Sequence, residues 1–368
     1  MARDSEIRVA VVGVGNCASS LVQGITFYRK HPDVTVGLMR PEIGGLRVSD
    51  IHFACAFDVD ARKIGRPLAE AIFSPPNCAK VFCPPGEVRD DGATVHAGPV
   101  SDGVAGHLQN FDEGHRAVLS QNASATSRVD VVKILRDTGA TVLVNYLPVG
   151  SEKATALYAE ACLEAGVGMV NCIPVFIASA PTWAERFRKA GLPLVGDDVK
   201  SQFGATVTHR MLMKLAEDRG MAVDSSYQLN VGGNTDFLNM LERSRLSSKK
   251  TSKTEAVTSQ VPMKEGTIHI GPSDYVPFLG DNKVAYVRMN VRGFGGVAME
   301  LDMKLSVEDS PNSAGVVVDA VRCAELARRA GVGGPLNEAS AALMKRPPVQ
   351  MREEDAADAM ARWIAAHA

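Results

Sequence analysis

The chain has 368 residues, 45% hydrophobic and 22% charged, with a formal net charge of −2. That length exceeds what one compact core usually organises, so two domains are expected. The near-zero charge, spread along the chain with no basic block, argues against a nucleic-acid partner. No apolar run reaches the roughly 18 residues of a membrane span, and the N-terminus lacks the apolar core of a signal peptide. The seven cysteines are scattered, with no C-x-x-C pair, which speaks against a disulfide framework or a cysteine zinc site and for a reduced, cytoplasmic protein.

In chain order, Ile7 to Val12 reads as a buried strand, broken by Gly13 to Asn16, and Ala18 to Ile25 reads as a helix. Phe53 to Phe57 is a second strand, ended by Asp58-Val59-Asp60, and Ala61 to Phe73 is expected to be helical. Ser74 to Glu113 reads as loop and broken helix. Helices are then expected over Val129 to Thr138, Lys153 to Ala165 and Pro181 to Ala190. They alternate with strands over Thr141 to Tyr146, Val167 to Asn171 and up to Gly196. This alternation predicts an α/β chain with a doubly wound parallel sheet. The pattern changes after about residue 200. Val207 to Arg219 reads as a helix. Strands follow over Ser226 to Val231, His269 to Ile270, Ala285 to Val291 and Met299 to Val307, the last three in an order suited to an antiparallel sheet. Gly315 to Ala330 and Glu353 to Ala366 close the chain as helices.

Gly13-Val14-Gly15-Asn16-Cys17-Ala18 fits G-x-G-x-x-A between a strand and a helix. The first glycine permits the tight turn and the second lets the backbone approach a pyrophosphate. The small Ala18 lets helix and strand pack, and the helix N-terminus favours the anion. The bland alternative is a strand–helix turn with no ligand. Asp58, ending the next strand, can accept the ribose hydroxyls of NAD and disfavours the extra phosphate of NADP. Asp60, two residues on, competes for that role. The wide spacing from Gly13 to Asp58 is attributed to a loop inserted between His31 and Asp50.

Polar residues concentrate in the second half. Gly196-Asp197-Asp198-Val199-Lys200-Ser201 follows a strand, where ligands of open α/β sheets bind. Asn230 to Asp236 is a glycine-hinged polar turn, Ser248 to Lys253 a lysine cluster, and Asp281-Asn282-Lys283 and Asp309-Ser310 flank strands. A lysine run is usually a solvated loop, and Asp198 and Asp309 can serve as turn or cap residues. His209, inside a helix, reads as a packed or surface residue. Lysines can also meet a phosphate as point charges.

These segments resemble the inositol-1-phosphate synthase family of the bacterial type. The similarity rests on Val9 to Leu21, Ala56 to Asp60, Tyr146 to Ser151, Val195 to Ser201, Gln228 to Met240, Ser248 to Lys253, His269 to Asp274 and Asp309 to Ala320. It spans about residues 6 to 350. The resemblance implies a Rossmann-like domain over 1–200, completed by 310–368, with an α+β catalytic and tetramerisation domain over 201–309. It implies a homotetramer and an NAD-dependent conversion of glucose 6-phosphate to 1D-myo-inositol 3-phosphate. In that reaction C5 is oxidised, a C6 enolate attacks the C1 aldehyde, and the hydride returns to C5. A related hexose phosphate, or a plain NAD-dependent sugar-phosphate dehydrogenase, is the alternative.

Matched residue by residue, Lys253 and Lys283 stabilise charge and move protons, as a lysine with lowered pKa can. Lys249, Lys200 and Ser201 hold phosphate or hydroxyls, and Lys345 falls on the family's last lysine. Asp198, Asn230, Asn234, Asp236 and Asp281 fall on its other polar positions. The resemblance implies that Gly13, Gly15, Asn16, Cys17, Ala18, Asp58, Tyr146, Pro148, Asp198, Asp309 and Ser310 bind NAD. Asp309 and Ser310 are also the candidates for a divalent cation (zinc, magnesium or manganese), which oxygen ligands can hold.

Overall fold

The computed structural model describes residues 6–242, 257, 264 and 266–368. Seven strands form one parallel sheet: β1 (Ile7–Val12), β4 (Ile51–Asp58), β5 (Val95–Ala97), β6 (Val142–Asn145), β7 (Gly168–Asn171), β8 (Pro193–Gly196) and β13 (Gly334–Pro335). Their order is β13-β8-β7-β6-β1-β4-β5. A hairpin of β2 (Glu42–Ile43) and β3 (Leu46–Arg47) occupies the expected insertion. The central strand shows why its sequence is apolar throughout. Ile7, Val9 and Val11 face one core with the helices Asn16–Lys30 and Asp309–Arg329. Ala10 and Val12 face the other, with Arg128–Asp137, Glu152–Ala165 and Pro181–Ala190. A strand buried on both faces reads as a continuous apolar run.

The hairpin is tied down by Arg322, wholly buried in the Asp309–Arg329 helix. Its guanidinium donates to the carbonyls of Arg40, Pro41 and Leu46 and to Asp319. One departure from expectation lies after β4: Ala61 to Phe73 is mostly turn, with a helix only over Leu68–Ala71. Gly65 takes φ +82°, and Pro67 bars Arg66 from the helical region.

The second sheet holds β9 (Ala222–Gly232), β10 (Ile268–Tyr275), β11 (Asn282–Arg292) and β12 (Ala298–Glu308), in the order β10-β9-β11-β12. It is mixed rather than antiparallel throughout. β10 runs parallel to β9, because the long connection after β9 lets the chain cross over and return in the same direction. β11 is antiparallel to both β9 and β12. In that register Lys283 stands beside Gly232 and Val307, so the end of β9, the start of β11 and the end of β12 share one edge. Among the described residues, no helix is long and apolar enough to cross a membrane.

Candidate active site

Parallel strands deliver their carboxyl ends to one edge. Here β1 leads into Gly13, β4 ends at Asp58, β6 leads into Tyr146 and β8 into Asp198. The chain order reverses about β1, with β4 on one side and β6 on the other, which makes this edge the expected ligand crevice. The edge of the second sheet bearing Asn234, Lys283 and Asp309 faces the same space. Together they line a cavity of about 350 Å³.

At the nucleotide end, Gly13 has φ +88°, and a Cβ there would stand 2.7 Å from the Tyr146 carbonyl oxygen. A Cβ on Gly15 would meet nothing within 4 Å among the described residues. Gly15 is also the N-cap of Asn16–Lys30, a helix with no acidic residue in its first turn. Open space at an uncapped helix N-terminus fits a dinucleotide's pyrophosphate. The Asp58 carboxylate accepts the Val14 N–H at 2.7 Å through Oδ2 and the N–H groups of Val59 and Asp60 through Oδ1. Oδ2 keeps a lone pair for a ribose hydroxyl. Asp60, the competing candidate, is 1% exposed and engaged by Arg62 and by the Val118 N–H, so it is committed to holding the 112–118 segment. NAD therefore fits this end.

Ala18 is buried in the core, as the helix–strand packing requires, and Pro148 and Tyr146 line the cavity. The Tyr146 hydroxyl is buried without a hydrogen-bond partner among the described residues. Asn16 also lines the cavity, and its Oδ1 accepts the Cys78 N–H at 2.7 Å. Cys17 lies near Ser310 and Ser313. Burial, with the nearby charges of Asp281 and Asp309, pushes its pKa up to about 12, which keeps it a thiol.

Two lysine–carboxylate pairs line the catalytic half. Lys283 Nζ lies 3.1 Å from Asp309 Oδ1, and Lys345 Nζ lies 2.8 Å from Asp198 Oδ1. Burial acts to lower the Lys283 pKa, but the carboxylates of Asp309, Asp236 and Asp198 outweigh it, and the net shift is upward. Lys283 is thus a permanent cation at neutral pH, suited to stabilising an anion. The expected proton-carrying role, which needs a lowered pKa, is not supported for it. Asp198 is the one non-glycine residue among those described with positive φ, at 61°. That left-handed turn places its side chain in the cavity wall alongside Val199 and Ser201.

Asp281 accepts from the Ser310 N–H and hydroxyl and from Asn234 Nδ2, at 3.0, 2.8 and 3.1 Å. Burial raises its pKa to about 6. Asn234 in turn caps the helix Thr235–Asn239 through Asp236 N–H and Phe237 N–H. Asp281 lies behind the cavity wall, fixing the start of the helix that carries Asp309. Asn230 is wholly buried in the second sheet and donates to the Gly271 carbonyl, away from the cavity.

Lys200 is the clearest displacement from expectation. It lies between Val199 and Ser201, both of which line the cavity, and an extended backbone turns alternate side chains to opposite sides. Its ammonium binds the Ala341 and Ala342 carbonyls and the Glu353 carboxylate, at 2.8, 3.3 and 3.0 Å. A phosphate-holding role is not available to it. Of the packed and surface alternatives for His209, the structure has the packed one, with Nε2 2.7 Å from Ser226 Oγ and its pKa lowered by burial to about 4. Lys249 and Lys253 lie outside the described residues.

The expected cation ligands are committed elsewhere: Asp309 to Lys283, and Ser310 to Asp281. Among the described residues no group of three or more His, Cys, Asp or Glu side chains is placed to hold a metal ion. Asp309 and Ser310 therefore do not make a cation cage by themselves.

Sequence reasoning missed Lys63 and Asn77, which line the cavity beside the glycine loop, and Glu353. None belongs to a spacing pattern, since each is brought in by a turn or by the terminal helix.

A family model for myo-inositol-1-phosphate synthase matches residues 204–310. The inositol-3-phosphate synthase of Mycolicibacterium smegmatis is 52% identical over 358 residues, covering 95% of both chains. That of Corynebacterium glutamicum is 50% identical over 369 residues, covering 98% of both. The solved structure of a myo-inositol-1-phosphate synthase-related protein from Thermotoga maritima superposes with a TM-score of 0.79 at 25% identity, over 98% of each chain.

Proposed function

The chain belongs to the myo-inositol-1-phosphate synthase family, and from that premise we propose the following assignment of its reaction to its residues. It is an enzyme, an NAD-dependent isomerase that converts D-glucose 6-phosphate to 1D-myo-inositol 3-phosphate. The carrying observation is that the lysine–carboxylate pairs Lys283–Asp309 and Lys345–Asp198 share one cavity wall with the glycine loop.

A bound NAD would supply the hydride acceptor for C5 of the open-chain sugar and, within the same turnover, the hydride donor that restores it. Gly13, Gly15 and the Asn16–Lys30 helix terminus would seat its pyrophosphate, and Asp58 would receive its ribose hydroxyls. A C5 ketone makes the C6 proton acidic, and the resulting enolate carries its charge on the C5 oxygen. Attack on C1 creates a second developing oxyanion. Fixed cations in a water-poor site stabilise such charges without reorganisation. Lys283 and Lys345, each oriented by a carboxylate, supply them here. Lys253 is assigned charge stabilisation and proton transfer, and Lys249 and Ser201 the phosphate or hydroxyls, on the strength of their match to the family's positions.

The second sheet and its preceding helix, between about residues 201 and 309, constitute the catalytic and tetramerisation domain in this reading. Support comes from Phe294, Val297 and Met299, exposed in the turn between β11 and β12 and at the start of β12, and from β12 being a sheet edge among the described residues. Exposed apolar residues beside an open edge make a surface for self-association. A cytoplasmic site of action accords with the scattered thiols.

The purified protein, incubated with glucose 6-phosphate and NAD, is expected to yield inositol phosphate without accumulating NADH. Accumulating NADH without a cyclitol would replace this reading with that of a dehydrogenase. Light scattering on the same sample is expected to report a tetramer.

A further inference from the structure

Val14, the middle residue of the glycine loop, is held at both ends of its polar backbone by side chains from the end of β4 and the segment after it. Its N–H donates to Asp58 at 2.7 Å. Its carbonyl accepts from Lys63 Nζ at 2.7 Å and from Asn77 Nδ2 at 3.0 Å. Lys63 also donates to Asn77 Oδ1 at 3.0 Å, so the two donors brace each other. Lys63 is 3% exposed, and a buried ammonium carries a large desolvation cost unless it is well partnered. Burial lowers its pKa, and the charges of Asp58 and Asp60 oppose that shift.

The Val14 carbonyl and the Gly15 N–H belong to one peptide unit. In a trans peptide they point in opposite directions. Drawing the carbonyl toward Lys63 and Asn77 turns the Gly15 N–H the other way, at the residue where the loop leaves open space. Were this peptide free to rotate, the carbonyl could face a pyrophosphate and repel it. We infer that Lys63, with Asn77 as its brace, is a positioning residue for the cofactor: it fixes the 14–15 peptide so that the glycine loop presents an N–H, not a carbonyl, to the dinucleotide's phosphates. This rests on the reading that NAD is seated at the glycine loop. It assigns a role to two residues outside the G-x-G-x-x-A motif.

The test is a fluorescence titration with NADH, followed by competition with ADP and with adenosine, on the wild type, Lys63→Met and Asn77→Ala. Lys63→Met is expected to weaken NADH and ADP by about tenfold or more, the scale of a lost charge-assisted hydrogen bond. Adenosine, which has no phosphate, is expected to compete as well as against the wild type. Asn77→Ala is expected to show the same pattern with a smaller loss, and it serves as the reporter if Lys63→Met does not fold. Unchanged NADH affinity in a folded variant would overturn the inference. So would an equal loss for NADH, ADP and adenosine, which signals collapse of the whole loop. A wild type that binds no NADH would sink the cofactor reading, and this inference with it.

Discussion

Lys345 bonds twice to Asp198, its backbone N–H to the Asp198 carbonyl at 2.7 Å and its ammonium to the Asp198 carboxylate at 2.8 Å. The double attachment extends a short pairing in which Asp197 and Arg346 exchange backbone hydrogen bonds and Lys200 N–H donates to Leu343. A lysine from near the C-terminus is thereby fixed at the carboxyl edge of a sheet built from the N-terminal half.

Lys345→Met should leave the fold and NADH binding intact and lower turnover by about 100-fold, the cost of losing one preorganised donor to a developing oxyanion. A stopped assay for inositol phosphate beside an NADH titration measures both. Turnover within a few-fold of wild type would remove Lys345 from the reaction.

Lys283 is held charged by Asp309, so its titration is not expected to shape the activity profile below pH 10.5, its ordinary pKa. Lys283→Ala should lower kcat strongly, by about 100-fold or more, without creating or abolishing an alkaline limb between pH 7 and 9. A limb that vanishes in this variant would identify Lys283 as a proton carrier instead.

Two glycines two residues apart should fail differently. Gly13→Ala places a side chain at positive φ and against the Tyr146 carbonyl. It should cost about 1–3 kcal/mol of stability, seen as a lowered Tm. A methyl on Gly15 would meet no atom of the described residues within 4 Å, so for Gly15→Ala Tm should hold while NADH affinity falls, because the added methyl fills the pyrophosphate's space. Equal effects of both on Tm would contradict the distinction.

Burial lowers the Lys200 pKa from 10.5 to about 8, opposed by Glu353 and reinforced by Arg210 and Lys345. Its folded pKa lies below its unfolded one, so between these values the unfolded chain binds the extra proton. The group therefore adds stability as pH rises from about 8 to 10.5, and that increment is lost as pH falls back through 8. Lys200→Met should flatten this part of the stability–pH curve, measured by denaturant unfolding. An unaltered slope would show that Lys200 titrates normally.

Asp58→Ala should weaken NAD binding and reduce discrimination against NADP. Because Asp58 also holds the Val14 N–H, the loss for NAD should exceed that of a ribose contact alone. An unchanged preference between the two cofactors would place selection elsewhere.

The strand runs around β1, β6 and β7 and the glycine turn were legible in the sequence because their determinants are local: apolar continuity, helix periodicity and a small residue where a turn demands it. The motifs likewise marked Lys283, Lys345, Asp198 and Asp309 through resemblance. What the sequence left undecided were matters of direction and distance. Whether Lys200 enters the cavity depends on side-chain alternation and on Glu353, which arrives from the terminal helix. The choice between Asp58 and Asp60 turns on Arg62 and Val118 already occupying one of them. β10 runs parallel to β9 because of a crossover that no local pattern encodes. Lys63 is significant only because the turn after β4, forced by Gly65 and Pro67, brings its ammonium to a carbonyl 49 positions earlier. Propensity and periodicity act over a few residues and can be read along the chain. The pairing of a buried charge is settled by whichever partner the completed fold brings within about 3 Å, the reach of a hydrogen bond, and that is decided in three dimensions.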